Sequence, residues 1–68
     1  MIKVHLSKIM GEQRMNIQEL SDKTGLHRNG LSKLYNEKTG SISFETLEKV
    51  CKALNCNIED LLEIKEEN

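Results

Sequence analysis

The stretch that decides the fold is residues 17–34, which read IQELSDKTGLHRNGLSKL. Two helices that cross steeply through a very short turn need a turn residue that tolerates positive φ, a small side chain at the crossing and an apolar residue after the turn. Gly25, Ser21 and Leu26 meet these three needs in register. Apolar anchors stand on both sides of the turn, at Leu20, Leu31 and Leu34. The stretch therefore predicts two helices joined by a tight turn, over about residues 17–36.

Capping signals place the ends of these two helices. Asn16 is a favourable N-cap residue, and Glu19 three positions later completes a capping box. We expect the first helix of the pair to end at Gly25, the residue best suited to the left-handed conformation that follows a helix. The second is predicted over residues 27–37, with its leucines buried.

Three further helices are predicted around this pair. Apolar residues at i, i+3 and i+4 favour a helix over residues 6–14. Ser43 is the predicted N-cap of a fourth helix, whose buried stripe is Leu47, Val50, Cys51 and Leu54. Asn57 is the predicted N-cap of a short fifth helix, in which the residues expected to point inward are Ile58, Leu61 and Leu62.

Apolar and polar residues alternate at both ends of the chain. The alternation at residues 2–6 and at residues 62–64 is compatible with two short strands that pair the N-terminus with the C-terminus. A two-stranded pair is marginal unless it packs on the helices, so the sequence leaves this pairing open. The acidic tail over residues 65–68 is expected to fray. The predicted fold class is all-α, a compact five-helix domain with the terminal strand pair as an addition.

Length and composition limit the classes of function. The 68 residues make one small domain, 1–68. No apolar run approaches the roughly 20 residues of a membrane helix, and the N-terminus lacks a signal-peptide pattern, so we expect a cytoplasmic protein without a membrane partner. Cys51 and Cys56 are expected to be reduced thiols, one in the core and one half-buried, with a disulfide or redox role as the alternative. His5 and His27 lie far from them and from each other, so no metal site is expected.

The charges are distributed unevenly although the net charge is only −1. Residues 1–38 carry seven lysines and arginines against four acidic residues, whereas residues 39–68 carry three against seven. Such an asymmetry is typical of a chain with one surface that meets an anionic partner, and it is also compatible with an ordinary solvated surface.

Four blocks of the sequence resemble the Cro/repressor-type helix-turn-helix family of phage and bacterial transcription regulators, whose fold is that of the lambda repressor. LSDKTGL at residues 20–26 is similar to the family's LAxxTGL/I/V block, and LSKLYNEK at residues 31–38 resembles hSxhExGK, where h is apolar. SFETLEKVCKAL at residues 43–54 and NIEDLL at residues 57–62 match the closing blocks, SxETLxKIxxAL and S/N-x-x-D/E-LL. The resemblance covers about residues 4–63 and implies a homodimer that binds a two-fold operator in double-stranded DNA.

The resemblance also implies the roles of individual residues. The second helix of the pair, residues 27–37, would enter the major groove, because helix-turn-helix proteins read bases with the N-terminal part of that helix. The implied base-contacting residues are Arg28, Asn29, Ser32 and Lys33. The implied phosphate-contacting residues are Asn16, Gln18, Asn36 and Lys38. Arginine and lysine suit guanine O6 and N7, and asparagine suits adenine N6 and N7.

Other interpretations of the same residues stay open. Arg28, Asn29 and Lys33 could form an ordinary solvated helix face, and His27 and Tyr35 could touch DNA or only pack locally. The sequence departs from the family pattern at Ile17, where the family often has glutamine. It departs again at Gly30, which costs roughly 0.8–1 kcal/mol against alanine inside a helix.

Two classes of function remain. No nucleophile–base pair, paired carboxylates or glycine-rich phosphate loop is present, so we expect neither an enzyme nor a cofactor or small-molecule substrate. The first hypothesis is a transcription regulator that occupies an operator as a repressor or contacts polymerase. The alternative is a protein-interaction module, antitoxin-like or an anti-repressor, that binds through its acidic fourth and fifth helices. A dimer is expected to involve the surface near Ile58, Leu62 and Ile64.

Overall fold

The computed structural model describes residues 1–66, which contain five helices and two short strands joined by turns and loops. Their order is β1 (Ile2–Val4), α1 (Leu6–Glu12), α2 (Ile17–Thr24), α3 (Arg28–Tyr35), α4 (Phe44–Leu54), α5 (Ile58–Leu61) and β2 (Leu62–Ile64). The predicted fold class, a five-helix domain, is confirmed, and the two terminal strands do form. The frayed tail predicted over residues 65–68 falls partly on residues 67 and 68, which lie outside the described residues.

All five helices contribute apolar side chains to one core. The fully or almost fully buried side chains are Leu6, Ile9, Met10, Leu20, Leu31, Leu34, Leu47, Val50, Cys51, Leu54 and Leu61. The stripe predicted on α4 is confirmed, since all four of its residues are buried. Ile58 was expected to point inward, and this was wrong, because its side chain is 56% exposed. The single turn of α5 fills the core through Leu61, while Ile58 lies at the rim of a groove between α4 and α5.

The terminal strands form an antiparallel pair that lies on the helices. Ile2 is opposite Ile64 and Val4 is opposite Leu62. Val4 and Leu62 pack against the core, which supplies the support that a two-stranded pair needs. Backbone hydrogen bonds continue past both ends of the pair, from His5 N–H to the Leu61 carbonyl (2.8 Å) and between Met1 and Lys65 (2.8 and 2.9 Å).

A hydrogen bond between side chains joins the two ends of the chain next to the same strand pair. His5 Nε2 lies 2.6 Å from Glu63 Oε1. The hydrogen bond from His5 lowers the pKa of the Glu63 carboxyl below its ordinary value.

Left-handed residues end four of the helices. Arg14, Gly25, Glu37 and Asn55 follow α1, α2, α3 and α4, with φ values of 54°, 75°, 59° and 52°. A residue in this conformation turns the chain out of the helix while nearby N–H groups bond the last carbonyls. Because residues 14 and 37 take this conformation, the two helices are shorter than predicted. Helix α1 ends at residue 12 rather than 14, and α3 ends at residue 35 rather than 37.

Both cysteines lie where the sequence predicted. Cys51 is buried in α4, Cys56 is half-buried after it, and both are free thiols. Burial and the neighbouring Cys51 raise the pKa of the Cys56 thiol to about 11. No helix within residues 1–66 has both the length and the apolar character that a membrane crossing requires.

Substituting two glycines with alanine should shift the free energy of unfolding in opposite directions. Gly25 has a φ of +75°, so alanine there is expected to cost about 1–2 kcal/mol. Gly30 lies within α3, where alanine should stabilise the protein by about 0.5–1 kcal/mol. An added Cβ meets no atom within 4 Å at either site, so the two variants differ in backbone conformation rather than in packing. Urea denaturation followed by circular dichroism measures both, and destabilisation by Gly30→Ala would contradict this account.

Candidate nucleic-acid interface

The turn between α2 and α3 is fixed by side chains of α2 that bond to the residue after Gly25. The Ser21 hydroxyl donates to the Leu26 carbonyl oxygen at 2.6 Å. The Thr24 hydroxyl accepts from the Leu26 N–H at 3.1 Å and donates to the Leu20 carbonyl at 2.7 Å. Both polar groups of the Leu26 backbone therefore have partners on α2. These bonds fix the direction of α3 relative to α2.

The start of α2 is held by the predicted capping box. Asn16 Oδ1 accepts from the Glu19 N–H at 2.8 Å, and Glu19 Oε1 accepts from the Asn16 N–H at 3.4 Å. This reciprocal pair satisfies two backbone donors that a helix start otherwise leaves free. It also places the Glu19 carboxylate beside Asn16, one of the candidate phosphate contacts.

Helix α3 presents its predicted reading face away from the core. Leu31 and Leu34 are 2% and 4% exposed, so this side of α3 faces the domain interior. Arg28, Asn29 and Lys33 are exposed, and Ser32 on the same face is half-buried. The arrangement brings two cationic side chains and one amide side chain onto one helix surface.

The N-terminal end of α3 has no side-chain cap. His27 is the N-cap residue, so the helix begins at Arg28 rather than at residue 27 as predicted. The His27 carbonyl accepts from the Leu31 N–H at 3.2 Å, but its side chain makes no capping bond.

The candidate phosphate contacts lie at the start of α2 and just after α3, all of them exposed. Gln18 Nε2 donates to Asp22 Oδ1 at 2.9 Å along α2. Asn36 Nδ2 donates to the Ser32 carbonyl at 2.9 Å, which brings a candidate phosphate contact next to a candidate base contact. Lys38 follows in the loop.

Sequence reasoning missed Glu37, which sits between Asn36 and Lys38. Glu37 has left-handed φ, and two backbone bonds close the end of α3 around it: Glu37 N–H to the Leu34 carbonyl (3.1 Å) and Lys38 N–H to the Lys33 carbonyl (2.8 Å). This pattern usually has glycine at that position. The signal was present, since Glu37 stands where the family block hSxhExGK has its glycine.

The Glu37 carboxylate reaches back to strand β1. Oε2 lies 2.9 Å from the Lys3 ammonium, and Oε1 accepts from the Val4 N–H at 3.0 Å. The hydrogen bonds from Lys3 and Val4 lower the pKa of the Glu37 carboxyl below its ordinary value. No group of three or more metal-ligating side chains is assembled within residues 1–66.

A short fixed turn, a buried apolar side of α3 and an exposed polar side define a helix-turn-helix domain of the DNA-binding class. The chain belongs to the Cro/C1-type HTH DNA-binding domain family, whose sequence model matches residues 5–67. That family consists of DNA-binding domains and is not a family of enzymes.

Two similar proteins of Bacillus subtilis (strain 168) carry names of the same kind. The chain is 36% identical over 62 residues to the uncharacterized HTH-type transcriptional regulator YozG, an alignment that covers 91% of this chain and 74% of YozG. It is 33% identical over 72 aligned positions to the SPbeta prophage-derived uncharacterized HTH-type transcriptional regulator YopS, covering 98% of this chain and 97% of YopS.

Removing the Thr24 hydroxyl should weaken the turn. Thr24→Val keeps the side-chain shape but leaves the half-buried Leu26 N–H without its acceptor, which is expected to cost about 1–3 kcal/mol in the free energy of unfolding. Thr39→Val changes an exposed loop threonine in the same way and should stay within about 0.5 kcal/mol of the parent. Chemical denaturation of both variants provides the measurement, and equal effects would show that the Thr24 bonds do not hold the turn.

Proposed function

We propose that this protein is a transcription regulator that binds double-stranded DNA sequence-specifically, with α3 in the major groove. The observation that carries the proposal is the two-sided character of α3, whose buried leucines fix the helix while Arg28, Asn29 and Lys33 face outward. The N-terminal part of the second helix is the part that reads base edges in this motif.

The proposed base contacts follow from the chemistry of each side chain. Arg28 and Lys33 are suited to guanine O6 and N7, and Asn29 to adenine N6 and N7. Ser32, half-buried at the edge of the face, would contact the wall of the groove. Arg28 and Lys33 form no salt bridge with any other residue in the described range, so their charges are available to a ligand.

The proposed phosphate contacts lie on both sides of the reading face. Asn16 and Gln18 at the start of α2 would meet one phosphate segment, and Asn36 and Lys38 after α3 would meet another. Gln18 and Asn36 each donate to an acceptor within the protein, so they would exchange that bond for a phosphate oxygen or share it. Phosphate contacts of this kind set the register of the protein on the duplex, and base contacts supply the sequence preference.

The distribution of charge supports DNA as the ligand. On α4, Lys49 pairs with Glu45 at 3.0 Å and Lys52 with Glu48 at 2.9 Å, so these lysines are already neutralised by neighbours. Within residues 1–66, the cations of α3 and of the loop after it form no such pair. Affinity for DNA depends on the cations that meet phosphates rather than on net charge alone.

We further propose a homodimer that acts in the cytoplasm, where a regulator of this class meets its operator. A two-fold dimer presents its reading helices about 34 Å apart, one turn of DNA. The surface we favour lies near Ile58, Leu62 and Ile64. Ile64 is 76% exposed and Ile58 is 56% exposed, and Ile2 lies opposite Ile64 on the strand pair.

A second candidate function is a protein-interaction module, antitoxin-like or an anti-repressor, that binds through α4 and α5. The observation in its favour is Phe44, an aromatic side chain that is 89% exposed at the start of α4. Phe44 and Ile58 line the groove between these helices together with Glu48 and Glu59.

DNA binding across a salt series separates the two functions. We expect affinity to fall steeply as salt rises, because bound cations release counterions from phosphates. Arg28→Ala and Lys33→Ala should each cost about 1–3 kcal/mol on the preferred sequence and reduce its advantage over other sequences. Lys38→Ala should weaken binding to all sequences about equally.

The matched control for this experiment is Lys52→Ala, which removes the same charge from α4, where Lys52 is paired with Glu48. It should leave sequence preference unchanged. An unmodified protein that shows no binding to duplex DNA at low salt would rule out the first function and favour the second.

The dimer is tested by replacing Ile64, the most exposed residue of the proposed dimer surface. Ile64→Lys places a charge in the proposed interface and should shift the protein to monomer in sedimentation equilibrium at several concentrations, whereas Ile64→Leu should keep the parent's association. An Ile64→Lys protein that associates as strongly as the parent would place the interface elsewhere.

A further inference from the structure

Glu37 occupies an unfavourable backbone position directly between two proposed phosphate contacts. Its φ of 59° is in the left-handed region that side chains with a Cβ avoid. Its charge is negative, as is that of the phosphates that Asn36 and Lys38 would meet. Neither property favours glutamate here, whereas the contacts of its carboxylate do.

Those contacts cross the molecule. The carboxylate joins the loop after α3 to strand β1 through Lys3 at 2.9 Å and the Val4 N–H at 3.0 Å. Both partners are more than thirty residues away in sequence. The contact therefore links two parts of the chain that no local signal connects.

The Val4 N–H is free to make this bond because of the strand register. Met1 exchanges hydrogen bonds with Lys65, and the His5 N–H donates to the Leu61 carbonyl. The backbone N–H and C=O groups of the odd-numbered residues in 1–5 therefore point towards β2. The backbone of Val4 then faces the opposite edge, because bonded and non-bonded pairs alternate in an antiparallel ladder. Glu37 fills that edge.

We propose that Glu37 is a positioning residue for DNA binding. Its carboxylate, held by Lys3 and Val4, fastens the loop that carries Asn36 and Lys38 to the terminal strands and keeps its own negative charge turned away from the phosphates. This inference rests on the proposed function, since it assigns Glu37 a part in that same interface.

The two partners of Glu37 have separable parts in this arrangement. The Val4 N–H fixes the direction of the Glu37 side chain, because a backbone donor in a strand cannot move independently of the strand pair. Lys3 supplies charge, because its ammonium neutralises the carboxylate at 2.9 Å. Without Lys3, an uncompensated carboxylate would remain between the two phosphate contacts.

The contact of Glu37 with Lys3 and Val4, which we call the clamp, is tested without DNA, by amide hydrogen exchange at Val4 in the full chain. Glu37→Ala keeps a Cβ in the left-handed position but removes the acceptor, and we expect Val4 exchange to rise about tenfold or more. Glu37→Gln retains a side-chain oxygen that can accept from Val4 and should restore most of the protection. Equal Val4 exchange in the parent and Glu37→Ala would overturn the clamp.

The role in binding is tested by a double-mutant cycle on duplex DNA at low salt, with Lys3→Met, Glu37→Gln and the double variant. Lys3→Met should lower affinity about five- to tenfold when Glu37 is present. In the Glu37→Gln background the same change should lower it only about twofold, since the carboxylate that it exposes is then gone. Lys49→Met removes the same charge from a paired lysine of α4 and should change affinity no more than about twofold.

Two results of the cycle would overturn the positioning role: the same loss from Lys3→Met in both backgrounds, or the same loss from Lys3→Met and Lys49→Met. A parent protein that does not bind DNA would overturn the proposed function and the positioning role together. The Val4 exchange result then still decides whether the clamp exists, so the two failures are distinguishable.

Discussion

The direction of α3 relative to α2 determines which surface this small chain can present to a ligand. Ser21 and Thr24 bond the backbone of Leu26 from the end of α2, while Gly25 turns the chain. The buried leucines of α3 then set the rotation of that helix about its axis. Direction and rotation together decide which side chains face outward, so the candidate interface is a consequence of a few local bonds and one apolar stripe.

The features with local signals were predictable from the sequence. The capping box of Asn16 with Glu19, the left-handed Gly25 and the four-residue stripe of α4 depend on residues within one or two turns of each other. A chain segment settles such features almost independently of the rest, which is why their residue types reveal them. The exposure of Arg28 and Lys33 follows from the same periodicity, whereas their contacts with bases stay a prediction.

The features that escaped prediction depend on distant partners or on unfavourable local choices. The early ends of α1 and α3 arise from Arg14 and Glu37, which take a conformation that sequence reasoning assigns to glycine. The strand pair forms because Val4 and Leu62 find the core between them, and α5 is too short to bury Ile58. For Glu37 and for the strand pair, the deciding contacts involve residues that are remote in sequence.

The terminal strands carry both the proposed dimer surface and the contact with Glu37. One side of the pair carries Ile2 and Ile64, which lie opposite each other and are largely exposed. The free edge of β1 receives the Glu37 carboxylate from the end of α3. A homodimer built on those isoleucines would therefore be connected to the loop after each α3 by a short path, from β2 to β1 and from Val4 to Glu37. In a chain of 68 residues, such a path would let one strand pair serve both association and the placement of the loop after α3.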